Sequence, residues 1–315
     1  MTFKRYEIKY MLTRRQEEQI KQVMAPYMKE DEHGRSTICS LYLDTPDYLL
    51  IRRSMDHPVY KEKLRLRSYG VAKENTTVFL ELKKKYDSVV YKRRISLPLA
   101  EAEQFLAEET VEQKGRLFQI SPDSQQSQWS EIHRQQSIVS ETARKTDQSE
   151  NTGIAGNNPQ IRKEIRYCMQ TYQDLHPAVL LTYERDAFYG KNDHEFRVTF
   201  DHNILWRDTD LTLSAGIYGT PVLKEDQILM EVKTSGAMPL WMAHYLTENH
   251  LYRTSFSKYA TAYRTICAEK NIWKIPAWNL VQAQAVATTE PISRTIPPAS
   301  LPRSATALRS FALDE

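Results

Sequence analysis

Lysine and arginine recur at every second position in several short stretches of this chain. Lys63, Arg65 and Arg67 alternate with Leu64 and Leu66. Glu81 and Lys83 alternate with Leu80 and Leu82, and Glu231 and Lys233 with Met230 and Val232. Arg5, Glu7 and Lys9 keep the same spacing, as do Tyr183 and Arg185, and the odd-numbered positions of Glu195–Asp201 are polar while the even ones are apolar. Side chains two apart on a strand share a face, so each stretch places charge on one face and apolar groups on the other. Guanidinium forks and ammonium groups gathered in this way suit phosphate oxygens. The few carboxylates among them suit a divalent cation that bridges phosphates. No Ser/His/Asp or Cys/His arrangement speaks for nucleophilic catalysis, and the eight histidines do not cluster at ligand spacing. Transfer to a phosphate acceptor needs no general base, because the acceptor oxygen is already ionised; alignment and charge stabilisation carry such a step.

These residues need strands to hold them. Strands are expected over 2–11, 36–44, 59–69, 76–85, 88–97, 178–188, 194–201 and 227–234. Thr13 with Gln16 three residues on reads as a capping box opening a helix to about Ala25. Pro98 opens a short helix to about Ala107, and Ile161, Ile165 and Cys168 mark another over 160–172. Residues 238–269 read as two helices broken near 250–254, with Trp241, Met242, Tyr245 and Leu246 as core packing. A sheet with one wet face is the ordinary outcome for any single strand. Six strands with cationic faces differ: if the sheet closes on itself the charges line a lumen, and desolvated like charges repel unless a polyanion lies among them.

The chain has 315 residues, 41% hydrophobic and 26% charged, with a net charge of +3 and a mean hydropathy of −0.60. These values exclude a histone-like binder, and no apolar run approaches the ~18 residues of a membrane span. The N-terminus enters patterned sequence directly, which predicts no signal peptide. Cys39, Cys168 and Cys267 form no C-x-x-C pair, as expected of free thiols in the cytoplasm. Aromatics do not interleave with the basic residues as stacking platforms would, which argues against nucleic-acid binding. Residues 119–160, rich in Ser and Gln, read as a disordered insertion, and 275–315 as a disordered tail. The expected organisation is one domain over 1–274, interrupted by that insertion.

Taken in order, Lys63-Leu64-Arg65-Leu66-Arg67-Ser68-Tyr69-Gly70, Glu81-Leu82-Lys83, Lys92-Arg93-Arg94, Tyr183-Glu184-Arg185-Asp186-Ala187-Phe188, Phe196–Asp201, Met230-Glu231-Val232-Lys233 and Phe256-Ser257-Lys258-Tyr259 resemble the VTC domain (vacuolar transporter chaperone). That domain is the polyphosphate polymerase branch of the triphosphate tunnel metalloenzymes, to which the CYTH proteins also belong. The resemblance covers about residues 3–267 apart from the insertion. It implies an α+β fold, a closed antiparallel β-barrel tunnel with surrounding helices. It implies transfer of the ATP γ-phosphate onto a growing inorganic polyphosphate chain, with Mn²⁺ or Mg²⁺. By position, Lys9, Arg65, Arg67, Lys83, Lys92, Arg185 and Arg197 match the basic tunnel residues. Tyr183 and Ser257 match polar phosphate contacts, Lys258 a phosphate-binding lysine, and Glu231 the metal-binding carboxylate. Arg52 or Arg53 matches a further tunnel arginine.

Two positions depart from the pattern. Many CYTH proteins open with E-x-E-x-K, where this chain has Arg5-Tyr6-Glu7-Ile8-Lys9; the lost acid favours the polymerase branch over a two-metal hydrolase. Fungal polymerases carry a lysine where this chain has Ser255, with Arg253 two residues earlier as a substitute. Glu7 and Glu81 read as counter-charges to neighbouring cations. A triphosphate hydrolase of the same fold and a non-catalytic polyphosphate-binding accessory module are the alternatives. The expected partners are ATP and polyphosphate, and the sequence leaves a membrane or accessory protein partner open.

Overall fold

Each alternating stretch folds as a strand in the computed structural model, which describes residues 6–56, 58–87, 89–117, 158–172 and 174–271. All lie within the first of two units, Met1–Trp273. The strands are β1 (Tyr6–Thr13), β2 (Met28–Glu30), β3 (Ser36–Asp44), β4 (Tyr60–Tyr69), β5 (Thr77–Tyr86), β6 (Val89–Pro98), β7 (His176–Gly190), β8 (Arg197–Arg207), β9 (Thr220–Pro221), β10 (Gln227–Thr234) and β11 (Arg253–Thr254). They form one sheet in the order β11-β1-β10-β8-β7-β3-β4-β5-β6, with β2 beside β7 and β9 beside β8. Every pairing is antiparallel.

The expected closed barrel is corrected to an open sheet. Among the described residues no ladder joins β6 to β1. The free edge of β1 is taken over Lys9–Tyr10 by β11, where a closing strand would bond. The sheet nevertheless curls. Lys83 on β5 helps draw down the carboxyl of Glu7 on β1, yet the two strands stand six places apart in the sheet order. Laid flat, that is about 29 Å at ~4.8 Å per strand, well beyond the ~10 Å over which salt screens a charge. The charged faces therefore look toward one another across a concave inner side.

Six helices are described: α1 (Arg14–Met24), α2 (Leu49–Met55), α3 (Leu99–Leu117), α4 (Pro159–Thr171), α5 (Leu240–Glu248) and α6 (Lys258–Glu269). α1 opens on the expected capping box: Gln16 N–H donates to Thr13 Oγ1 and Thr13 N–H to Gln16 Oε1. α4 opens on Asn158 with Pro159 in its first turn, so the 119–160 insertion ends before Asn158. The rest of that insertion, and the 275–315 tail, lie outside the described residues. The outer, apolar sides of the strands pack under helices. Tyr10, Leu12, Val198, Phe200, Met230 and Val232 meet Ile20 and Met24 of α1 and Met242 and Leu246 of α5. Leu64, Leu66, Leu80, Leu82 and Ile95 meet Phe105 of α3 and Ile165 and Met169 of α4.

A third cluster sits on the inner face. Val179, Leu181 and Trp206 pack with Ile51 of α2 and Tyr259, Ala262 and Ile266 of α6. These two helices fill the apolar end of the concave side, and its polar end is left to the charged residues. No described helix is long and apolar enough to cross a membrane.

Candidate functional site

Glu231 and Asp201 form one centre of charge. Glu231 on β10 pairs with Lys9 on β1, and Asp201 on β8 with Arg185 on β7, so the period-2 alternation brings all four to the inner face. Arg185 grips Asp201 with both edges of its fork, Nε to Oδ1 at 2.5 Å and Nη2 to Oδ2 at 2.7 Å, and Nη2 also reaches Glu231 Oε2 at 3.3 Å. Lys258, first residue of α6, donates to Asp201 Oδ2 at 2.5 Å and to Glu231 Oε1 at 3.4 Å. Lys9 lies 3.6 Å and Lys233 3.8 Å from Glu231, and Lys9 is 3.2 Å from Glu7. The Asp201 side chain is fully buried. Burial alone would raise the Glu231 carboxyl, but Lys258, Arg185, Lys233 and Lys9 hold it well below its usual range. Asp201 is also lowered: burial opposes, and Lys258 and Arg185 prevail.

A second centre forms around Glu81, whose side chain is 1% exposed. Arg65 lies opposite it across β4 and β5 and binds its Oε2 through Nε at 2.8 Å and Nη2 at 2.7 Å. Lys92 of β6 is 2.7 Å from Oε1. Arg67 donates to Ser40 Oγ at 3.2 Å and to the Tyr183 hydroxyl at 3.4 Å. Burial would raise Glu81, yet Arg65, Arg67 and Lys92 bring it down to about 2. Beside this centre Lys63 faces Lys83, and Lys83 faces Lys92, across three adjacent strands. Among the described residues neither Lys63 nor Lys83 has a carboxylate within ion-pair distance. Burial lowers Lys63 to about 8; Lys83, Lys61 and Lys9 add to the effect, and Tyr42 opposes it.

The expected residues Lys9, Arg65, Arg67, Lys83, Lys92, Tyr183, Arg185, Glu231 and Lys258 thus share the inner face. Arg197 shares the face of β8 that carries Asp201 and lies opposite Lys233, but at an exposed position, where its Nε donates to the His194 carbonyl at 3.3 Å. The Ser257 hydroxyl caps α6 by accepting from Ala260 N–H at 3.3 Å, which leaves its own proton to donate. Arg52 is anchored on Asp47 at 3.0 Å, and Arg53 lies over the Tyr172 ring. Arg253 pairs with Tyr10 and its charge acts on that outward-packed phenol, so it does not stand in for the lysine missing at Ser255. Glu7 and Glu81 are seated as counter-charges. Sequence reasoning gave no role to Asp201, Lys233 or Lys63, although all three keep the alternation of their strands. Tyr42 was also missed, because it lies in the apolar run Leu41-Tyr42-Leu43, where period-2 patterning is lost.

A divalent cation needs oxygen ligands that are not already consumed. Glu17, Asp186 and His202 come together on the outer side of the sheet, but Lys21 and Arg35 already hold Asp186 at 2.7 and 2.8 Å, and Lys21 holds Glu17 at 2.6 Å. Glu231 differs. Its four cations stand at 3.3–3.8 Å, outside the ~2.7–2.9 Å of a tight charge-assisted bond. Both of its oxygens keep lone pairs, and the group is ionised, so Glu231 is the carboxylate of this face that could hold a divalent ion.

The family model of the VTC domain matches residues 4–267. No curated protein sequence matches the chain. Among solved structures, the chain is similar to a putative adenylate cyclase from Vibrio parahaemolyticus at 12% identity and a TM-score of 0.37, over 82% of this chain and 97% of that one. It is similar to a putative adenylate cyclase from Bacillus halodurans at 12% identity and a TM-score of 0.40, over 80% and 92%. A putative adenylyl cyclase from Hippeastrum, described as having a dominant triphosphatase activity, is 14% identical with a TM-score of 0.40, over 86% and 97%.

Proposed function

The chain belongs to the VTC domain family, and on that premise we propose that it is a polyphosphate polymerase that transfers the ATP γ-phosphate to a growing inorganic polyphosphate chain. Arg65, Arg67 and Arg185 hold the oxygens of the transferring phosphates. Each guanidinium carries five N–H donors; Glu81 and Asp201 fix the planes of Arg65 and Arg185 and leave further donors free. Lys9, Lys83, Lys92, Tyr183 and Ser257 contact phosphates along the path, Lys258 holds one beside Glu231, and Arg197 meets the chain at the rim. Glu231 would hold Mn²⁺ or Mg²⁺, which when bound supplies positive charge to phosphate oxygens.

The observation that carries this reading is the state of the carboxylates. Glu81, Asp201 and Glu231 are all held below the ordinary range by cations. Each therefore stays ionised and orients its arginine and lysine partners, so that guanidinium and ammonium donors face the inner side together. A phosphate acceptor arrives ionised, so alignment and charge stabilisation by these groups are what the transfer requires. The test is incubation with ATP and Mn²⁺, with and without a short polyphosphate primer, and separation of the products. Lengthening chains are the expected result. Orthophosphate alone would make the protein a hydrolase, and polyphosphate binding without turnover would make it a binding module.

A further inference from the structure

Arg65 and Lys258 come from separate parts of the fold, and a pair of stacked tyrosines joins them. The Tyr42 hydroxyl on β3 accepts a hydrogen bond from Arg65 Nη1 at 2.9 Å. The Tyr42 ring stacks on Tyr259, with centroids 4.6 Å apart and planes at 28°. Tyr259 follows Lys258 directly, and its hydroxyl donates to Asp44 Oδ2 at 2.8 Å. Asp44 also accepts from the N–H groups of Thr45, Leu50 and Ile51, so it ties the start of α2 and the start of α6 to the end of β3. Tyr42, Tyr259 and Asp44 are all buried. A continuous chain of contacts therefore runs from Asp44 through Tyr259 and Tyr42 to Arg65, and on to Glu81.

We propose that Tyr42 is a positioning residue of the phosphate site, fixing Arg65 relative to Lys258 through its stack on Tyr259. The proposal rests on the phosphate-binding reading above and adds a residue that reading does not use. Glu81 holds one edge of the Arg65 fork, and a guanidinium held on one edge alone still swings about the carboxylate. Tyr42 holds the third nitrogen, Nη1, and removes that freedom before the ligand arrives, which lowers the ordering cost of binding. Its stack on Tyr259 refers the position to α6, where Lys258 begins. Tyr42 faces Lys63, Arg65 and Arg67 of β4 and Tyr259 of α6. Burial would raise its phenol, but Arg65, Lys63 and Arg67 pull it down to about 8, so its own titration reports the contact.

A double-mutant cycle tests the link. Tripolyphosphate binding is measured by calorimetry on the full chain for wild type, Tyr42→Phe, Arg65→Gln and the double variant. Tyr42→Phe keeps the ring stack and drops only the hydroxyl. It should weaken binding roughly tenfold, as expected for one hydrogen bond to a charged group. In the Arg65→Gln background it should have no further effect. Equal effects of Tyr42→Phe in both backgrounds would overturn the proposal. A ligand-free measurement stands beside it: the ring-carbon NMR signal of Tyr42 should titrate near pH 8 in wild type and move upward in Arg65→Gln. An unmoved titration overturns the link whether or not phosphate binds. Wild type that binds no tripolyphosphate but shows the shifted titration counts against the proposed function and supports the link.

Discussion

The inner face of the sheet holds two unlike regions. Around β1, β7, β8 and β10, the cations Lys9, Arg185, Lys233 and Lys258 gather on Glu7, Asp201 and Glu231. Around β4, β5 and β6, Arg65, Arg67 and Lys92 share Glu81, and Lys61, Lys63 and Lys83 have no carboxylate at ion-pair distance among the described residues. The first region neutralises itself, so it can be deeply buried and hold Glu231 ionised without a ligand. The second stores repulsion. Burying unpaired charge is expensive, which is why Lys83 stays exposed and why Lys63 gives up its proton easily. A polyanion relieves the second region more than the first.

The largest test of this contrast removes Asp201. Asp201→Asn removes the close carboxylate partner of Arg185 and Lys258 and leaves them the longer contacts to Glu231, and stability should fall by about 3–5 kcal/mol. A melting scan should show a drop of about 10 °C, part of which added tripolyphosphate restores; an unchanged melting point would sink the self-neutralising account. Glu231→Gln should cut turnover by about 10²–10³-fold, the usual loss on deleting one charge-stabilising group, while metal-free anion binding stays largely intact. Wild-type turnover in that variant would remove Glu231 from the metal site. Arg65→Ala should weaken tripolyphosphate binding by about 10–100-fold, the range for a lost charge-assisted bond, and undiminished affinity would contradict the second region's role.

A pH series gives a smaller effect with two opposed signs. Lys63 and Tyr42 act on each other and are both lowered to about 8, so as pH rises through that value the pair gives up protons and the second region becomes less positive. Tripolyphosphate affinity should be flat below pH 7 and fall as pH rises through 8, with proton uptake on binding visible as a buffer-dependent heat. The ligand-free protein should do the reverse. Both folded-state values lie below the unfolded ones, so the unfolded chain binds more protons between about 8 and 10, and stability rises with pH across that window. Smallest of all, Lys63→Met should raise the ligand-free melting point by a few degrees through relief of repulsion while weakening tripolyphosphate binding. A lower melting point would show that Lys63 is not under strain.

Much of the site was legible because strand periodicity is a local property. Lys63, Arg65 and Arg67 must share a face whatever the sheet does, and so must Glu231 and Lys233. Strand ends were harder to read. β8 runs on past Asp201 to Arg207, where a register shift opposite Thr182 and Glu184, with Asn203 at φ 47°, breaks the alternation. The two-residue strand β11 carries too little pattern to be seen, yet it takes the edge of β1 and leaves the sheet open. The seating of Asp201 was invisible for another reason: one acid among alternating polar residues has no sequence mark of the arginine and lysine that will reach it from β7 and α6.

Which residues share a face, that this face is cationic with a few interspersed acids, and that its chemistry suits phosphate are all written in the order of the residues. Those properties follow from the two-residue repeat of an extended chain and from the charges themselves. How the cations are partnered follows from packing between distant segments. Arg185 and Lys258, far apart in the chain, meet on Asp201 because α6 packs against β7 and β8, and Tyr42 reaches Arg65 because β3 lies beside β4. Whether a buried charge is neutralised or left in want of a ligand depends on distances of a few ångströms between strands remote in sequence, and residue spacing along the chain does not encode them.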